Sequence, residues 1–464
     1  MVVGAGIAGL AAAWEAADSG AEVVLLDSDR RAGGKLDSTS LLGRRIDTGA
    51  DAFLARRPEG TTFVQDVGLG ASLISPATSS ALVWHRGQLQ RLPEGLLLGL
   101  PSNLVSLARS RVLSPFGVAR AALDLVLPGD PVGDVDIAVG ALVRRRLGPE
   151  VQERLVDPLL GGVNAGNSDH LSLQAGVPQL AAAVQGHRSL VAAAWLGRRR
   201  QRRTEGIGPT FSSVRGGLGR FAEQVARQLA DRGVQVVLGF TAARLERPNR
   251  AGDTRVGWSV VTGVGARFAA DAVVLAVPPG PAASLLEAHA PTSAAKLGAI
   301  SSASVAMVCL AYREADVGHP LDGSGFLVPR SGGRLMTACS WASSKWPEVA
   351  APGMVVLRLS AGRAGDGRAL ALADDVLAAR LHNEVAVALG ITAEPAGHHV
   401  TRWVDAFPQY APGHAELVAA IEQGLPAGLE VAGAAYRGVG IPACIGSGRA
   451  AARRAVASAT TDLG

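Results

Sequence analysis

Three glycines near the start of the chain have the spacing of a phosphate-binding turn. Gly4, Gly6 and Gly9 fit the pattern G-x-G-x-x-G. Its first glycine permits a tight turn, the second lets backbone approach a pyrophosphate and the third allows close helix–strand packing. Asp27 follows eighteen residues after Gly9, and a carboxylate at the end of a second strand accepts hydrogen bonds from ribose hydroxyls. The pattern therefore predicts a dinucleotide site.

A strand–helix–strand unit has to position these groups. Residues 1–3 end a first strand, 10–19 read as an alanine-rich helix and 22–27 as a buried parallel strand. Only three residues precede Gly4, so either the first strand is short or the natural start lies upstream. Strand signals fade between 60 and 205. The further elements that the pattern predicts are helices over 118–127, 139–147, 221–231 and 444–458 and strands over 234–238 and 272–277.

A second pair of glycines bears on which dinucleotide is bound. Gly33 and Gly34 precede Lys35, and the segment 45–51 follows shortly after. This extension resembles the flavin amine-oxidase superfamily, and plain NAD dehydrogenases lack it. A simple loop is the competing interpretation of the glycine pair taken alone.

Further segments resemble one branch of that superfamily, the porphyrinogen oxidases. The ordered matches extend from residue 2 to about 452, and the most specific one is Gly433 to Ile445. The segments are 155–166, 211–221, 343–347, 403–414 and 433–445. The resemblance implies an α/β fold, in which a Rossmann-type FAD-binding domain of the flavin monoamine oxidase kind is interleaved with substrate-binding α+β and helical domains.

The resemblance also implies the contacts with FAD. The opening turn would hold the pyrophosphate, Asp27 and Ser28 the ribose, and the backbone of Val236 the adenine. The complete set of implied cofactor residues is Gly4, Ala5, Gly6, Ile7, Ala8, Gly9, Asp27, Ser28, Lys35, Gly49, Ala50, Asp51, Ala52, Val236, Trp403, Val439, Gly440 and Ile441. The last four would lie near the isoalloxazine, where a helix N-terminus would stabilise an anionic reduced flavin.

Three positions depart from the family pattern. Ala434 follows Gly433 where most of the wider superfamily has aspartate, which counts against a generic amine oxidase. Residue 27 is Asp, where Glu is commoner. Asn164 stands where an aromatic side chain is expected.

The reaction that the resemblance implies is oxidation of a porphyrinogen in haem biosynthesis. Coproporphyrinogen III would give coproporphyrin III, or protoporphyrinogen IX would give protoporphyrin IX, by hydride transfer from bridge carbons to flavin N5 and reoxidation by dioxygen. Arg56, Arg57 and Arg437 are weak candidates for binding substrate propionates, since surface arginines are the commoner case. We name no catalytic acid or base, because His414 is more readily explained as a structural histidine, and we expect no metal site.

Two other functions stay open. An amine oxidase or carotenoid-type desaturase would use the same fold, and an amine oxidase would need a lysine-bound water, for which Lys345 is the plausible donor. A non-catalytic flavoprotein would bind FAD without turning over either porphyrinogen.

Length and composition set the remaining expectations. The 464 residues predict more than one domain, divided as FAD-binding (1–60, 207–284 and 400–464), mostly helical and possible membrane-facing (61–206) and substrate-binding α+β (285–399). The three scattered cysteines form no disulfide framework, and no leader or spanning segment is evident, so we expect a cytoplasmic protein. The arginine run at 198–203 is typical of a solvated face, and nucleic acid is not expected. Peripheral membrane contact and transient contact with the next enzyme of haem synthesis stay open.

Overall fold

A parallel sheet gathers strands from both ends of the chain. The computed structural model describes residues 1–127, 130–204, 208–247 and 257–461; the predicted domain boundary at 206/207 and the side chains of 201–203 lie outside the described part. In spatial order the strands of this sheet are Gln235–Leu238, Val24–Asp27, Val2–Val3, Val273–Leu275 and Leu429–Val431. All neighbouring pairs are parallel, as a dinucleotide-binding fold requires.

Both faces of this sheet are covered, because successive side chains of a strand point to opposite faces. Val2 packs into a core formed with helices Ile7–Asp18, Leu218–Asp231 and Ile441–Thr461. Val3 packs into a second core on the other face. That face is closed by helix 279–286 and by the antiparallel strands Ala242–Glu246, Trp258–Thr262 and Arg267–Ala270.

The chain also forms a second, larger sheet with both parallel and antiparallel strands. In spatial order its strands are Gly397–Pro408, Ser302–Arg313, Met354–Ala361, Met336–Trp341, Gly325–Leu327, Ala81–His85 and Gln88–Arg91. The expectation that strand structure fades between 60 and 205 is therefore wrong for the hairpin 81–91, which joins this sheet by parallel pairing of Ala81–His85 with Gly325–Leu327. Residues 400–408, which the sequence prediction assigned to the FAD-binding domain, also belong to this sheet, since their strand pairs with Ser302–Arg313.

A helical region covers one end of the large sheet and has an apolar core of its own. The prediction of a helix over 139–147 is confirmed by Val139–Leu147. The helix predicted over 118–127 has the wrong bounds: it spans Pro115–Ala122, because Ser114 caps the N–H of Gly117 at 3.0 Å, and a 3₁₀ turn follows it. No described helix is both long and apolar enough to cross a membrane.

The remaining elements connect these layers. The other helices are Pro58–Asp66, Leu104–Ser110, Pro149–Val151, Asp157–Asn164 (preceded by the π-helical turn Gln152–Val156), Leu173–Gly176, Pro178–Val184, Leu190–Thr204, Pro291–Gly298, Ala342–Lys345, Asp374–Leu389 and His414–Gln423. The other strands are Ser38–Leu41, Arg44–Asp47, Phe53–Leu54, Leu73–Ile74, Leu96–Leu97, Leu100–Pro101 and Phe211–Val214.

Candidate active site

The opening glycine turn has the backbone that the sequence predicts. Gly4 has φ +104°, and a Cβ atom there would press on the carbonyl of Ala276. A Cβ on Gly9 would overlap the carbonyl oxygen of Gly4, whereas one on Gly6 would meet nothing within 4 Å. The first and third glycines therefore serve close packing, and the second faces open space. Helix Ile7–Asp18 starts there without a side-chain cap, so its free N–H groups are available to phosphates.

The residue predicted to bind the ribose lies at the carboxyl edge of the parallel sheet. Asp27 ends its strand, accepts a hydrogen bond from the N–H of Ala5 through Oδ2, and accepts another from the N–H of Asp29 at 2.8 Å through Oδ1. Burial is the main cause that raises the pKa of Asp27 above its usual range. Ser28 follows it and is exposed. Val236 lies in the adjacent edge strand, two residues before the position opposite Asp27.

The second glycine pair brings another backbone segment beside the opening turn. The N–H of Gly33 donates to the carbonyl of Ala5 at 2.8 Å, and Gly34 has φ +55° and lies against Gly6. Lys35 then extends inward, where its Nζ donates to the carbonyl of Ala406. Burial lowers the pKa of Lys35 below its usual value.

Trp403 meets the segment that is predicted to lie along the cofactor. Its Nε1 donates to the carbonyl of Thr48 at 3.0 Å, and its ring reaches the Cα side of Gly49. Gly49 also packs so closely on the carbonyl of Lys35 that a Cβ atom would overlap it. The buried Oγ1 of Thr48 has no hydrogen-bond partner within the described chain. The fold thus brings Lys35, Gly49 and Trp403 together and leaves an unused polar atom beside them, as a cofactor site would.

Asp51 directs its side chain into a buried ionic cluster. Its Oδ2 lies 2.8 Å from Lys345 Nζ, 2.8 Å from Arg358 Nη1 and 3.3 Å from Trp346 Nε1. Burial alone would raise the pKa of Asp51, but Arg358 and Lys345 outweigh it and hold the pKa well below its usual range. Arg358 also donates to the carbonyl of Gly49. The cluster therefore fixes the segment 49–52, which includes Ala50 and Ala52, to the large sheet.

Arg358 was missed by the sequence reasoning. It is the one charged residue in the strand Met354–Ala361, whose other positions are almost all apolar, and that pattern is the signal that could have found it. Lys345, considered as the donor for a lysine-bound water, is instead paired with Asp51, which removes support for the amine-oxidase alternative.

The glycine-rich segment 433–440, called the closing turn below, lies near the opening turn of residues 4–9. Helix Ile441–Thr461 begins directly after Val439 and Gly440, and a Cβ on Gly448 in this helix would overlap the carbonyl of Ala8. Gly433, at the end of the last parallel strand, also lies near Ala8. The last helix therefore crosses the first turn of helix Ile7–Asp18 at Gly448, seven residues after its own start.

Tyr410 and His414 hydrogen-bond to the backbone of the closing turn. Their rings stack at 3.9 Å between centroids. Tyr410 Oη donates to the carbonyl of Ala434 at 2.6 Å and accepts from the N–H of Gly438 at 2.8 Å. His414 Nε2 lies 3.0 Å from the carbonyl of Ala435 and is buried. This arrangement agrees with the structural interpretation of His414.

The three arginines proposed for substrate binding each contact another side chain. Arg437 is exposed and pairs with Glu422. Arg57 Nη1 lies 3.8 Å from Glu59, and Arg56 reaches Thr210 at 3.4 Å. These last two immediately precede helix Pro58–Asp66, which packs on the closing turn.

Comparison with known proteins decides the family. The model of the family described as "Flavin containing amine oxidoreductase" matches residues 7–456. The chain belongs to this family. It is 37% identical over 455 residues to a protein of Mycobacterium leprae (strain TN) named "Coproporphyrinogen III oxidase", covering 97% of this chain and 96% of the relative. A protein of Bacillus subtilis (strain 168) with the same name is 32% identical over 468 residues, with the same coverage.

Solved structures of similar proteins agree with the fold. A candidate protoporphyrinogen oxidase from Exiguobacterium sp. 255-15 superposes with a TM-score of 0.85 at 30% identity, covering 100% of this chain and 98% of that one. Putrescine oxidase superposes with a TM-score of 0.70 at 16% identity, over 98% of both chains, which shows the shared fold alone. The resemblance to the porphyrinogen oxidases, and the Rossmann-type fold with its interleaved second sheet, are thus confirmed, and the chain is a flavin-family oxidoreductase.

Proposed function

We propose that this chain oxidises coproporphyrinogen III to coproporphyrin III in haem synthesis, with FAD as cofactor and dioxygen as the final acceptor. The observation that carries the proposal is similarity over nearly the whole chain to proteins named Coproporphyrinogen III oxidase, at 37% and 32% identity. The convergence of the opening and closing turns on one edge of the sheet supports it. Protoporphyrinogen IX is the alternative substrate.

The residues of the site would divide the work of binding. The turn from Gly4 to Gly9 would hold the pyrophosphate, Asp27 the ribose and Val236 the adenine. Bound FAD supplies a hydride acceptor at N5. The ionic cluster of Asp51 would keep the segment 49–52 rigid beside it, and the N-terminus of helix Ile441–Thr461 would favour negative charge there.

No side chain is assigned as a general base. Each oxidation step removes a hydride from a bridge carbon and releases one proton to solvent; two of the four pyrrole N–H protons are lost in all, and the gain of conjugation favours this release. His414, the histidine of the matched segments, is occupied by the carbonyl of Ala435. The pocket therefore has to bind and orient the substrate, and no side chain is assigned to exchange protons.

Anaerobic reduction tests the function directly. The FAD-loaded protein is mixed with coproporphyrinogen III, with protoporphyrinogen IX or, as the control for an amine oxidase, with putrescine, and the flavin absorbance is followed. We expect bleaching by coproporphyrinogen III, then recovery with release of hydrogen peroxide and fluorescent porphyrin when oxygen is admitted. A flavin that neither porphyrinogen reduces would overturn the proposal.

We also propose that the protein is cytoplasmic and makes peripheral contact with a membrane through one surface of the helical region. Val105, Leu125 and Trp195 line a cleft of about 880 Å³ together with Arg198 and Arg199. Trp195 is half exposed, and the Arg199 guanidinium lies 5.4 Å from its ring. Apolar side chains beside arginines suit an interface with anionic lipid. Transient contact with the next haem-pathway enzyme remains part of the proposal.

A further inference from the structure

Arg330 and Arg363 lie at the same end of the large sheet. Arg330 follows strand 325–327 and Arg363 follows strand 354–361; both strands pair antiparallel with 336–341, so they run in the same direction and end at the same edge. The helical segment with Asp157 covers this edge, because Arg330 Nε lies 3.8 Å from Asp157 Oδ2.

The positive charge at this edge is not balanced. Asp157 is buried, and its Oδ1 already accepts hydrogen bonds from the N–H and the hydroxyl of Ser168, at 2.9 and 3.0 Å. Within the described chain, the guanidinium of Arg363 makes no ion pair and no hydrogen bond, and the Nε atoms of both Arg330 and Arg363 are buried without a hydrogen-bond partner. Two carboxylates act on Arg363, and both are largely occupied: Asp157 is bonded to Ser168 and paired with Arg330, and Asp366 is paired with Arg368.

Arg363 feels both its burial and the charge of Arg330. Burial, and after it the charge of Arg330, lower the pKa of Arg363 below its ordinary value, although Asp157 and Asp366 act in the opposite direction. A buried donor without an acceptor and a second positive charge nearby are both costly, and an anionic ligand would relieve both.

The arginine pair is connected to the candidate cofactor site through a short run of contacts. Arg330 donates to the carbonyls of Gly166 at 3.0 Å and Ala364 at 3.4 Å. The N–H of Ala364 donates to the carbonyl of Ala165 at 2.7 Å.

Ala165 belongs to a small apolar cluster that reaches the flavin-facing residues. The cluster includes Val305 and Phe407. Val305 lies opposite Trp403 in the sheet, and the ring of Phe407 lies 5.8 Å from Lys35 Nζ. A broad macrocyclic substrate that touches Trp403 would therefore be able to extend a carboxylate arm towards the arginines.

We propose that Arg330 and Arg363 bind propionate side chains of the substrate and favour coproporphyrinogen, with four propionates, over protoporphyrinogen, with two. The inference rests on the proposed function and names the substrate-selecting residues of that site. Guanidinium groups bind carboxylates through paired, charge-assisted hydrogen bonds. Arg330 and Arg363 each carry a buried Nε donor without a hydrogen-bond partner in the described chain.

Arg363→Gln is the test variant, because Arg363 bonds no other part of the described chain through its side chain. With the FAD-loaded enzyme we expect the KM for coproporphyrinogen III to rise about tenfold or more, with a much smaller rise for protoporphyrinogen IX and little change in kcat. Arg363→Lys should restore part of the loss, since it keeps the charge but not the paired geometry.

Arg368→Gln is the matched control. Arg368 is close in sequence, but it is exposed and already paired with Asp366 at 2.8 Å, so both KM values should stay as in the parent. FAD content and thermal midpoint are measured for every variant. Since a general loss of structure would impair both substrates alike, the ratio of the two KM values is the decisive readout.

The outcomes separate the two levels of the proposal. If neither porphyrinogen reduces the parent flavin, the proposed function fails and this inference fails with it. If the parent is active but Arg363→Gln leaves the KM ratio unchanged, whether through no effect or through equal effects, only the role of the arginine pair is overturned.

Discussion

Arg358 Nη1 lies 2.8 Å from Asp51 Oδ2, deep between the large sheet and the segment that is predicted to lie along the flavin. Lys345 completes the cluster from a neighbouring helix. A buried ion pair of this kind is costly to assemble, because both charges lose their hydration. Its contribution lies in fixing one geometry, in this case the position of residues 49–51 against the sheet.

Replacement of Arg358 should therefore be strongly destabilising. In Arg358→Met the carboxylate of Asp51 would keep only Lys345 as a cationic partner, and loss of one member of a buried pair costs about 3–5 kcal/mol. We expect the urea midpoint of the FAD-loaded protein to fall and FAD to be released more readily. Arg91→Met is the control, since its pair with Asp322 is solvent-exposed and contributes at most about 1 kcal/mol. Equal effects of the two changes would contradict the assigned role.

Asp27→Asn tests the ribose contact. The charged acceptor would become a neutral amide, and a hydrogen bond to a charged group contributes about 1.5–3 kcal/mol, so the Kd for FAD should rise about 10- to 100-fold. Asp29→Asn is the control, because Asp29 is exposed and contacts Asp27 through its backbone. Fluorescence titration of the apoprotein with FAD measures both. An unchanged Kd for Asp27→Asn would remove this residue from the site.

The thiols should be inert in the native protein. Cys309, Cys339 and Cys444 are all buried, and burial raises the pKa of Cys309 and of Cys444 to about 11. The reactive form is the thiolate, whose fraction rises only as pH approaches that value, so Ellman's reagent at pH about 8 should detect none of the thiols. After unfolding in guanidinium, all three should react. Rapid labelling of the folded protein would contradict the burial of these side chains.

Membrane contact can be tested by placing a negative charge on the proposed contact surface. Trp195→Glu would remove a large apolar side chain from the cleft and place a negative charge beside Arg199. Since burial of such a side chain contributes about 1.5–3 kcal/mol, sedimentation with anionic vesicles should weaken at least about tenfold. Val264→Glu is the control, because Val264 is well exposed but lies on the hairpin 258–270 next to the parallel sheet. Binding that both variants retain would argue against this surface.

The local parts of the fold could be predicted from the sequence because they depend on backbone requirements. A Cβ atom at Gly4 or Gly9 would overlap neighbouring backbone, so only glycine fits at these positions. The glycine spacing therefore predicts the opening turn and the start of the helix after it. Helix Val139–Leu147 could also be predicted, as could the parallel strands, whose runs of apolar residues are buried on both faces.

The non-local parts could not be predicted in this way. The hairpin 81–91 pairs with the strand 325–327, and nothing in the hairpin's own sequence predicts that pairing. Arg330 and Arg363 were not nominated, because their significance comes from a shared carboxylate and from buried donors that only the folded chain reveals. Arg437 was nominated from its place within a motif, and its pairing with Glu422 is likewise visible only in the folded chain.

The close crossing between Gly448 and Ala8 has a consequence for biosynthesis. The opening glycine turn is translated long before the helix that packs against it. Until helix Ile441–Thr461 docks, the face of helix Ile7–Asp18 that it covers is exposed. We therefore expect the nascent chain to take up FAD only after helix Ile441–Thr461 has been translated, and a protein cut short before residue 441 to accumulate as colourless, protease-sensitive material.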